Sequence, residues 1–360
     1  MGGGPDGAKG GAAVRPAGSD LTRRVLLAGA ASLASGTGLA APAEPGRTLL
    51  VTHAAFAAHE TGPSHPERPA RMRALDEVLA GPAFAGLRRE AAPLREDAEA
   101  AILRAHAPAH LAAIRALAAD PGGLPARIGP DTVVSVGTWE AALRAVGAGL
   151  QAIDAVCEGG GGVRNAFCQV RPPGHHAERA RAMGFCLFDT AAVAALHARA
   201  RHGARRVAVV DFDVHHGNGT QDIFWSDPDL FYASTHRMPW FPGTGAASER
   251  GVGNIWNAPL KEGDDAAPFR AAWAQHLLPA LDAFRPDLIV VSAGFDAHEG
   301  DPLGGLRLQA ADFGWITAAI AEVAERRCGG RIVSLLEGGY RLDALAASGA
   351  AHVRALLDAG

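Results

Sequence analysis

Asp211, Asp213, His215 and His216 fall within six residues, inside the run VVDFDVHHGNGTQDIF that spans positions 209–224. The run begins as a continuous apolar segment, the pattern of a strand buried on both faces. Its polar residues come where that segment ends, and Gly217 and Gly219 then turn the chain. Carboxylates and neutral imidazoles are ligands of zinc, and the same set also suits iron(II) or cobalt(II). Asp213 and His215 sit two apart on an extended segment, so their side chains point the same way. Asp296, in SAGFDAHEGDP, supplies a third ligand from another strand end. Three protein ligands with one open position is the layout of a catalytic zinc site. Such an ion lowers the pKa of a water to about 7 and polarises a carbonyl oxygen.

A hydrolase of this kind needs a base beside the water. The pair His175-His176, in RPPGHH, is placed for that role, on a loop that Arg171, Pro172, Pro173 and Gly174 hold stiffly. Such histidines need a partner on the far ring nitrogen, and Asp211 and Asn218 are available. Tyr340 follows Gly338 and Gly339, which let the backbone bring its phenol close to a developing oxyanion. Each residue alone has a plainer reading: an Asp at a strand end usually caps a helix, and one Tyr usually packs. Convergent chemistry at four strand ends argues for a site. His197, His202, His276 and His352 lie on helical stretches and receive no functional role.

Strand-like runs occur at RTLLVTH, NAFCQV, RVAVVDFDV, LFYASTH, PDLIVVSAGF and RIVSLLEGG. Ala-rich stretches predict helices over 138–156, 190–201, 268–284 and 310–326. This alternation predicts an α/β fold, a mostly parallel sheet with helices on both faces. Ligands in such sheets bind beyond the carboxyl ends of the strands, where the polar clusters fall.

The chain has 360 residues, 48% hydrophobic and 20% charged, with a formal net charge of -4. That charge excludes the basic footprint of a nucleic-acid binder. Only Lys9 and Lys261 are lysines. The four cysteines, Cys157, Cys168, Cys186 and Cys328, form no CxxC pair and read as isolated buried thiols. Residues 1–20 read as unstructured. Arg23-Arg24 then precede a mildly apolar segment to about Ala41 and an A-x-A pattern at Ala41-Pro42-Ala43. This is the layout of a twin-arginine export signal, with a mature start near Glu44 and a periplasmic or exported product. A disordered Ala-rich tail on a cytoplasmic protein is the alternative. The expected division is therefore 1–45, tail and signal, and 46–360, catalytic domain, with no membrane span in the mature protein.

The motifs HETGPSHPERPARMRAL, RPPGHHA, GFCLF, VVDFDVHHGNGTQDIF, FPGTG, SAGFDAHEGDPLGGL and EGGY run from His59 to Tyr340. In them the chain resembles the histone deacetylase superfamily, which includes acetylpolyamine amidohydrolases and bacterial class II deacetylase-like amidohydrolases. The resemblance implies an arginase-like three-layer α/β fold around an eight-stranded, mostly parallel sheet. It implies Zn²⁺ on Asp213, His215 and Asp296, His176 as general base and His175 as its electrostatic partner. Asp211 then orients His175, Asn218 orients His176, and Tyr340 polarises the amide carbonyl. Phe185 and Phe241 become the walls of an acyl-lysine tunnel, with Gly174 and Gly184 nearby and Leu303 at its mouth. A structural K⁺ or Na⁺ is implied around the main-chain carbonyls of Asp211, Asp213 and His215, with Ser234 and Thr235. A second such cation falls near Phe224, Asp227 and Leu230. Asn218 stands where class I members carry Asp. Asp189-Thr190 departs from the Asn-rich sequence of many relatives. The expected activity is removal of acetyl or other acyl groups from lysine side chains. Alternatives are an acetylpolyamine or small-amide deacetylase and a catalytically silent acyl-lysine binder.

Overall fold

The central strands form because their residues are apolar on both faces and β-branched residues recur in them. The computed structural model describes residues 1–3 and 46–360; the twin-arginine segment lies outside the described residues. Among the latter, strands β1 (Thr48–Thr52), β2 (Arg88–Ala91), β3 (Ala126–Ile128), β4 (Thr132–Val134) and β5 (Asn165–Cys168) come first. Then follow β6 (Val207–Asp211), β7 (Leu230–Arg237), β8 (Ile255–Leu260), β9 (Leu288–Ala293) and β10 (Ile332–Leu336). The helices are α1 (Ala70–Leu79), α2 (Ala98–Ala105), α3 (Pro108–Ala118), α4 (Thr138–Glu158) and α5 (Thr190–His202). They continue as α6 (Asn218–Phe224), α7 (Ala266–Ala272), α8 (Leu278–Phe284), α9 (Ala310–Cys328) and α10 (Leu342–Ala359).

Eight strands make one sheet in the order β2-β1-β5-β10-β9-β6-β7-β8, and every neighbouring pair is parallel. β3 and β4 form a separate antiparallel hairpin. Helices α4 and α5 pack together on the sheet, as do α1, α9 and α10; β5 touches both α4 and α10, and β9 both α5 and α9. Every residue of β5, β6, β7, β9 and β10 is buried. The expected α/β architecture, with eight strands and helices on both faces, is therefore present. β5, β10, β9 and β6 are consecutive in space, and their carboxyl ends share one sheet edge. The loops carrying RPPGHH, EGGY, GFDAHEGDP and DFDVHHGNG thus emerge side by side.

Two readings need correction. β6 ends at Asp211, three residues before the apolar run does. The chain then bends, and that bend lets Asp213 and His215 turn toward one point. The helix expected over 268–284 is α7, a wide turn at Trp273–Leu277 and α8. There the buried Trp273 indole donates to the Thr235 hydroxyl at 3.0 Å. Asp189 is explained: it caps α5 by accepting the Ala192 N–H at 2.8 Å and also accepts from Thr220 Oγ1 at 2.7 Å. No described helix is long and apolar enough to cross a membrane.

Candidate active site

Asp213 and His215 follow β6, and Asp296 follows β9. All three are buried, and one ligand atom from each lies within 4.8 Å of the other two. His215 Nδ1 is 3.1 Å from an oxygen of Asp213 and 3.1 Å from one of Asp296. Burial alone would lower the pKa of this imidazole, but the two carboxylates override it and raise it to about 10. Burial and the neighbouring Asp213 raise Asp296 to about 7. Two buried carboxylates facing one nitrogen call for a positive charge between them. The backbone is shaped to admit it: a Cβ on Gly338 would fall 2.1 Å from Asp296 Oδ2 and 2.6 Å from Asp213 Oδ2. The donor set therefore fits a divalent ion.

His175 and His176 follow β5 with ring centroids 4.0 Å apart. His175 Nδ1 meets Asp211 at 2.9 Å, and His176 Nδ1 meets Asn218 Oδ1 at 2.9 Å. The Asn218 amide donates to Glu178 at 2.7 Å, so its oxygen faces His176 and accepts the Nδ1–H. Nε2 of His176 is left bare. Burial, then the neighbouring His175 and His215, hold His176 well below the usual imidazole range. Burial pushes the same way on His175, but Asp211, Asp213 and Glu337 outweigh it and hold it well above that range.

Tyr340 follows β10 and is held from three sides. The Arg71 guanidinium lies 5.2 Å over its ring, and Phe185 meets it edge-on at 6.0 Å. Asp301 accepts the N–H groups of Tyr340 at 2.7 Å, Arg341 at 3.2 Å and Leu303 at 2.9 Å. One carboxylate thus ties the tyrosine loop to the loop that bears Leu303. Burial raises the phenol well above its usual pKa, and Asp296 and Asp213 add to that, so it stays an O–H donor. Replacing Asp301 with Ala strips three N–H groups of their acceptor. We expect kcat to fall about 10–100-fold, the scale of a small misplacement of a reacting group. KM and metal content should change little, and Asp301→Asn, which keeps one of the two acceptor oxygens, should recover part of the rate. Steady-state kinetics with metal analysis checks this.

A pocket of about 190 Å³ lies over these groups, lined by His176, His215 and Tyr340 with Phe185, Phe241 and Leu303. Gly184 also lines it; a Cβ there would stand 2.3 Å from His176 Cδ2, and its φ is +58°. Phe185 keeps a φ of 68°, costly for a bulky residue, and its N–H donates to Thr132 Oγ1 at 3.1 Å. Gly174 does not line the pocket. Its N–H donates to Glu337 at 2.7 Å, and a Cβ would meet Thr190, so it shapes the histidine loop. Asp131 and Trp240 line the mouth and had no assigned role. Their signal was position alone: Asp131 in the β3–β4 turn, and Trp240 beside Phe241.

Beneath the site lies a buried ionic network. Arg171 donates to Glu67 and to the carbonyls of Phe56 and His59, and Arg71 donates to Glu67 and to the carbonyls of Gly339 and Glu337. Burial would raise Glu67, but Arg171 and Arg71 hold it well below the carboxylate range. The network joins the HPERPAR segment to the loops of His175 and Tyr340.

At the expected cation positions, Asp211 and Ser234 are register partners on β6 and β7. Ser234 Oγ bonds His236 Nδ1 at 2.9 Å, and Thr235 Oγ1 accepts from Trp273. At the remote position the three named residues do come together. The carbonyls of Phe224, Asp227 and Leu230 do converge, at 2.9, 3.0 and 2.7 Å, but on the side-chain amide nitrogen of Asn254.

The description of a histone deacetylase domain matches residues 65–356. The chain is 40% identical over 311 residues to the uncharacterized protein slr0245 of Synechocystis, covering 86% of this chain and 99% of that one. It is 40% identical over 282 residues to the histone deacetylase-like amidohydrolase of Pseudomonas aeruginosa, covering 77% and 72%. The chloroplastic histone deacetylase 10 of rice is 46% identical over 227 residues, 61% of this chain and about half (51%) of that one. The crystal structure of the HDA15 HD domain superposes with a TM-score of 0.80 at 35% identity, covering 87% and 89%. Since the matched segment contains all four strand-end loops and the Glu67, Arg71 and Arg171 side chains beneath them, the chain belongs to the histone deacetylase family of hydrolases.

Proposed function

We propose that the protein is a zinc-dependent amidohydrolase that removes acetyl groups from lysine side chains of peptides or proteins. One observation carries the reading: the Asp213, His215 and Asp296 cluster, the bare Nε2 of His176 and the Tyr340 phenol share the floor of one narrow, aromatic-walled pocket. Asp213, His215 and Asp296 would hold a divalent ion, which would supply an acidified water and a Lewis acid for the amide carbonyl. Iron(II) or cobalt(II) suits the same donors. Phe185 and Phe241 hold the butyl chain of the substrate and exclude water. His176 Nε2 takes the proton of the attacking water. His175, kept cationic by Asp211, favours the negative charge that develops nearby. The Tyr340 O–H donates to the carbonyl oxygen as it becomes an oxyanion. His176 then returns its proton to the leaving amine, and acetate and a free amine result.

The test is hydrolysis of an acetyl-lysine peptide by zinc-reconstituted protein, run beside acetylspermidine. Absence of turnover on both substrates favours a silent binder. A higher kcat/KM on the polyamine favours the second reading, which the Asp131 carboxylate at the pocket mouth supports. Leu303 lines that mouth with an apolar side chain. The superfamily resemblance puts an acidic gate at this position in polyamine-selective members. Leu303→Glu is therefore expected to move the ratio of the two kcat/KM values toward the polyamine by about tenfold or more. A charge-assisted contact is worth roughly 1.5–3 kcal/mol, and 1.4 kcal/mol is about one decade. Equal losses on both substrates would mean that Leu303 only packs its loop.

Export by the twin-arginine route is proposed on Arg23-Arg24 and the apolar segment that follows. Fractionation with N-terminal sequencing tests it; a cytoplasmic protein with its first residues intact overturns it.

A further inference from the structure

Helices α4 and α5 bring a second set of ligand side chains together, far from the pocket in the fold. Asp154 lies near the end of α4, His197 in the second half of α5, and His202 at its last residue. α4 leads into β5 and α5 into β6, so these residues lie toward the amino ends of the strands. The pocket is at the carboxyl ends. His197 Nε2 is 2.8 Å and His202 Nε2 is 2.7 Å from the same oxygen, Asp154 Oδ1. One ligand atom from each residue lies within 4.8 Å of the other two. His197 is buried, while Asp154 and His202 reach solvent.

We propose that Asp154, His197 and His202 bind a first-row divalent transition ion, Zn²⁺ foremost, separately from the catalytic ion. Two imidazoles and a carboxylate are ligands of zinc and of its first-row neighbours. The spacing is close to that of the catalytic set on the same chain, where the imidazole nitrogen stands 3.1 Å from each carboxylate. Bonds of about 2.0–2.2 Å in a tetrahedral site put ligand atoms about 3.3 Å apart. The Asp154 cluster must therefore open by about half an ångström. His202 can give that much, because it ends its helix beside Gly203, whose φ is +67°. The open coordination position then falls toward solvent.

Arg95 is the group that argues against a cation. It donates to the other oxygen, Asp154 Oδ2, and leaves Oδ1 to the imidazoles. Asp97 pairs with Arg95 through both of its oxygens, at 2.8 and 2.9 Å, and offsets its charge. An outer partner of this kind fixes the orientation of a ligating carboxylate. A bound ion would link α4 to α5, the layer that covers one face of the sheet.

The experiment counts zinc per chain by elemental analysis after dialysis against micromolar Zn²⁺. Wild type should hold two ions. His202→Gln and Asp154→Asn should each hold one and deacetylate at the wild-type rate. Asp213→Ala should also hold one, and Asp213→Ala/His202→Gln none. Added Zn²⁺ should raise the Tm of Asp213→Ala but not that of the double variant. One ion in wild type, or two in both His202→Gln and Asp154→Asn, overturns the proposal. The count on Asp213→Ala keeps this outcome separate from any failure of the deacetylase reading.

Discussion

Asp296→Ala should lose the catalytic ion and, with it, all measurable turnover. The expected fall in kcat/KM is at least about 10⁴-fold, because acidifying the water and polarising the carbonyl both depend on that ion. The geometry explains why the remaining two ligands do not suffice. His215 Nδ1 stands between Asp213 and Asp296, 3.1 Å from each, so removing one carboxylate opens the cluster on one side. Asp296 also accepts the Val214 N–H at 2.8 Å, in the segment that holds His215. Ala therefore removes a ligand and frees the loop that bears two others. Asp296→Asn keeps the shape and the acceptor for Val214, so it should fold as wild type does and still bind the ion weakly. Elemental analysis beside steady-state kinetics checks this. An Asp296→Ala protein with its full zinc complement would remove Asp296 from the ligand set.

How much of this was legible beforehand follows from burial. β5, β6, β7, β9 and β10 are covered on both faces, so their sequences are continuous apolar runs that mark themselves. The two edge strands do not. β2 is RREA, half-exposed in alternation, and β8 is IWNAPL, with Pro259 near its end. Nothing in four mostly charged residues signals a strand; pairing with β1 makes it one. The chemistry at the strand ends was legible because it is local: DFDVHHGNG carries two of the proposed ligands with Asp211 and Asn218, the partners of His175 and His176. What was missed depends on residues distant in sequence. Glu178 sets the Asn218 amide from 40 positions away, and Arg171 reaches Glu67 across 104. The grouping of Asp154, His197 and His202 gave no signal for the same reason, as each sits on a helix whose spacing looks ordinary. Asn254 had no signal, since its role rests on three carbonyls that only the folded loop brings to one nitrogen.

Tyr340→Phe isolates a single hydrogen bond. The phenol's ring contacts are with Phe185 and the Arg71 guanidinium, and its backbone is fixed by Asp301. Phenylalanine keeps all three, so fold, metal content and Tm should stay at wild-type values. Only the O–H is lost. In the resting site that hydroxyl is a protonated donor, because burial and the carboxylates of Asp296 and Asp213 oppose its ionisation. A neutral donor binds a ground-state carbonyl weakly and an oxyanion strongly, so the loss should fall on kcat. We expect a drop of about 10²–10³ in kcat, or about 2.7–4 kcal/mol, the scale for one oxyanion donor, with KM within about threefold. The split matters because a misplaced loop would act differently. Asp301→Ala displaces the tyrosine and is recovered in part by Asn, whereas Tyr340→Phe leaves the loop in place and no change at Asp301 restores it. A Tyr340→Phe enzyme within twofold of wild type in kcat would mean that the phenol does not face the reacting carbonyl, and the oxyanion would need another donor.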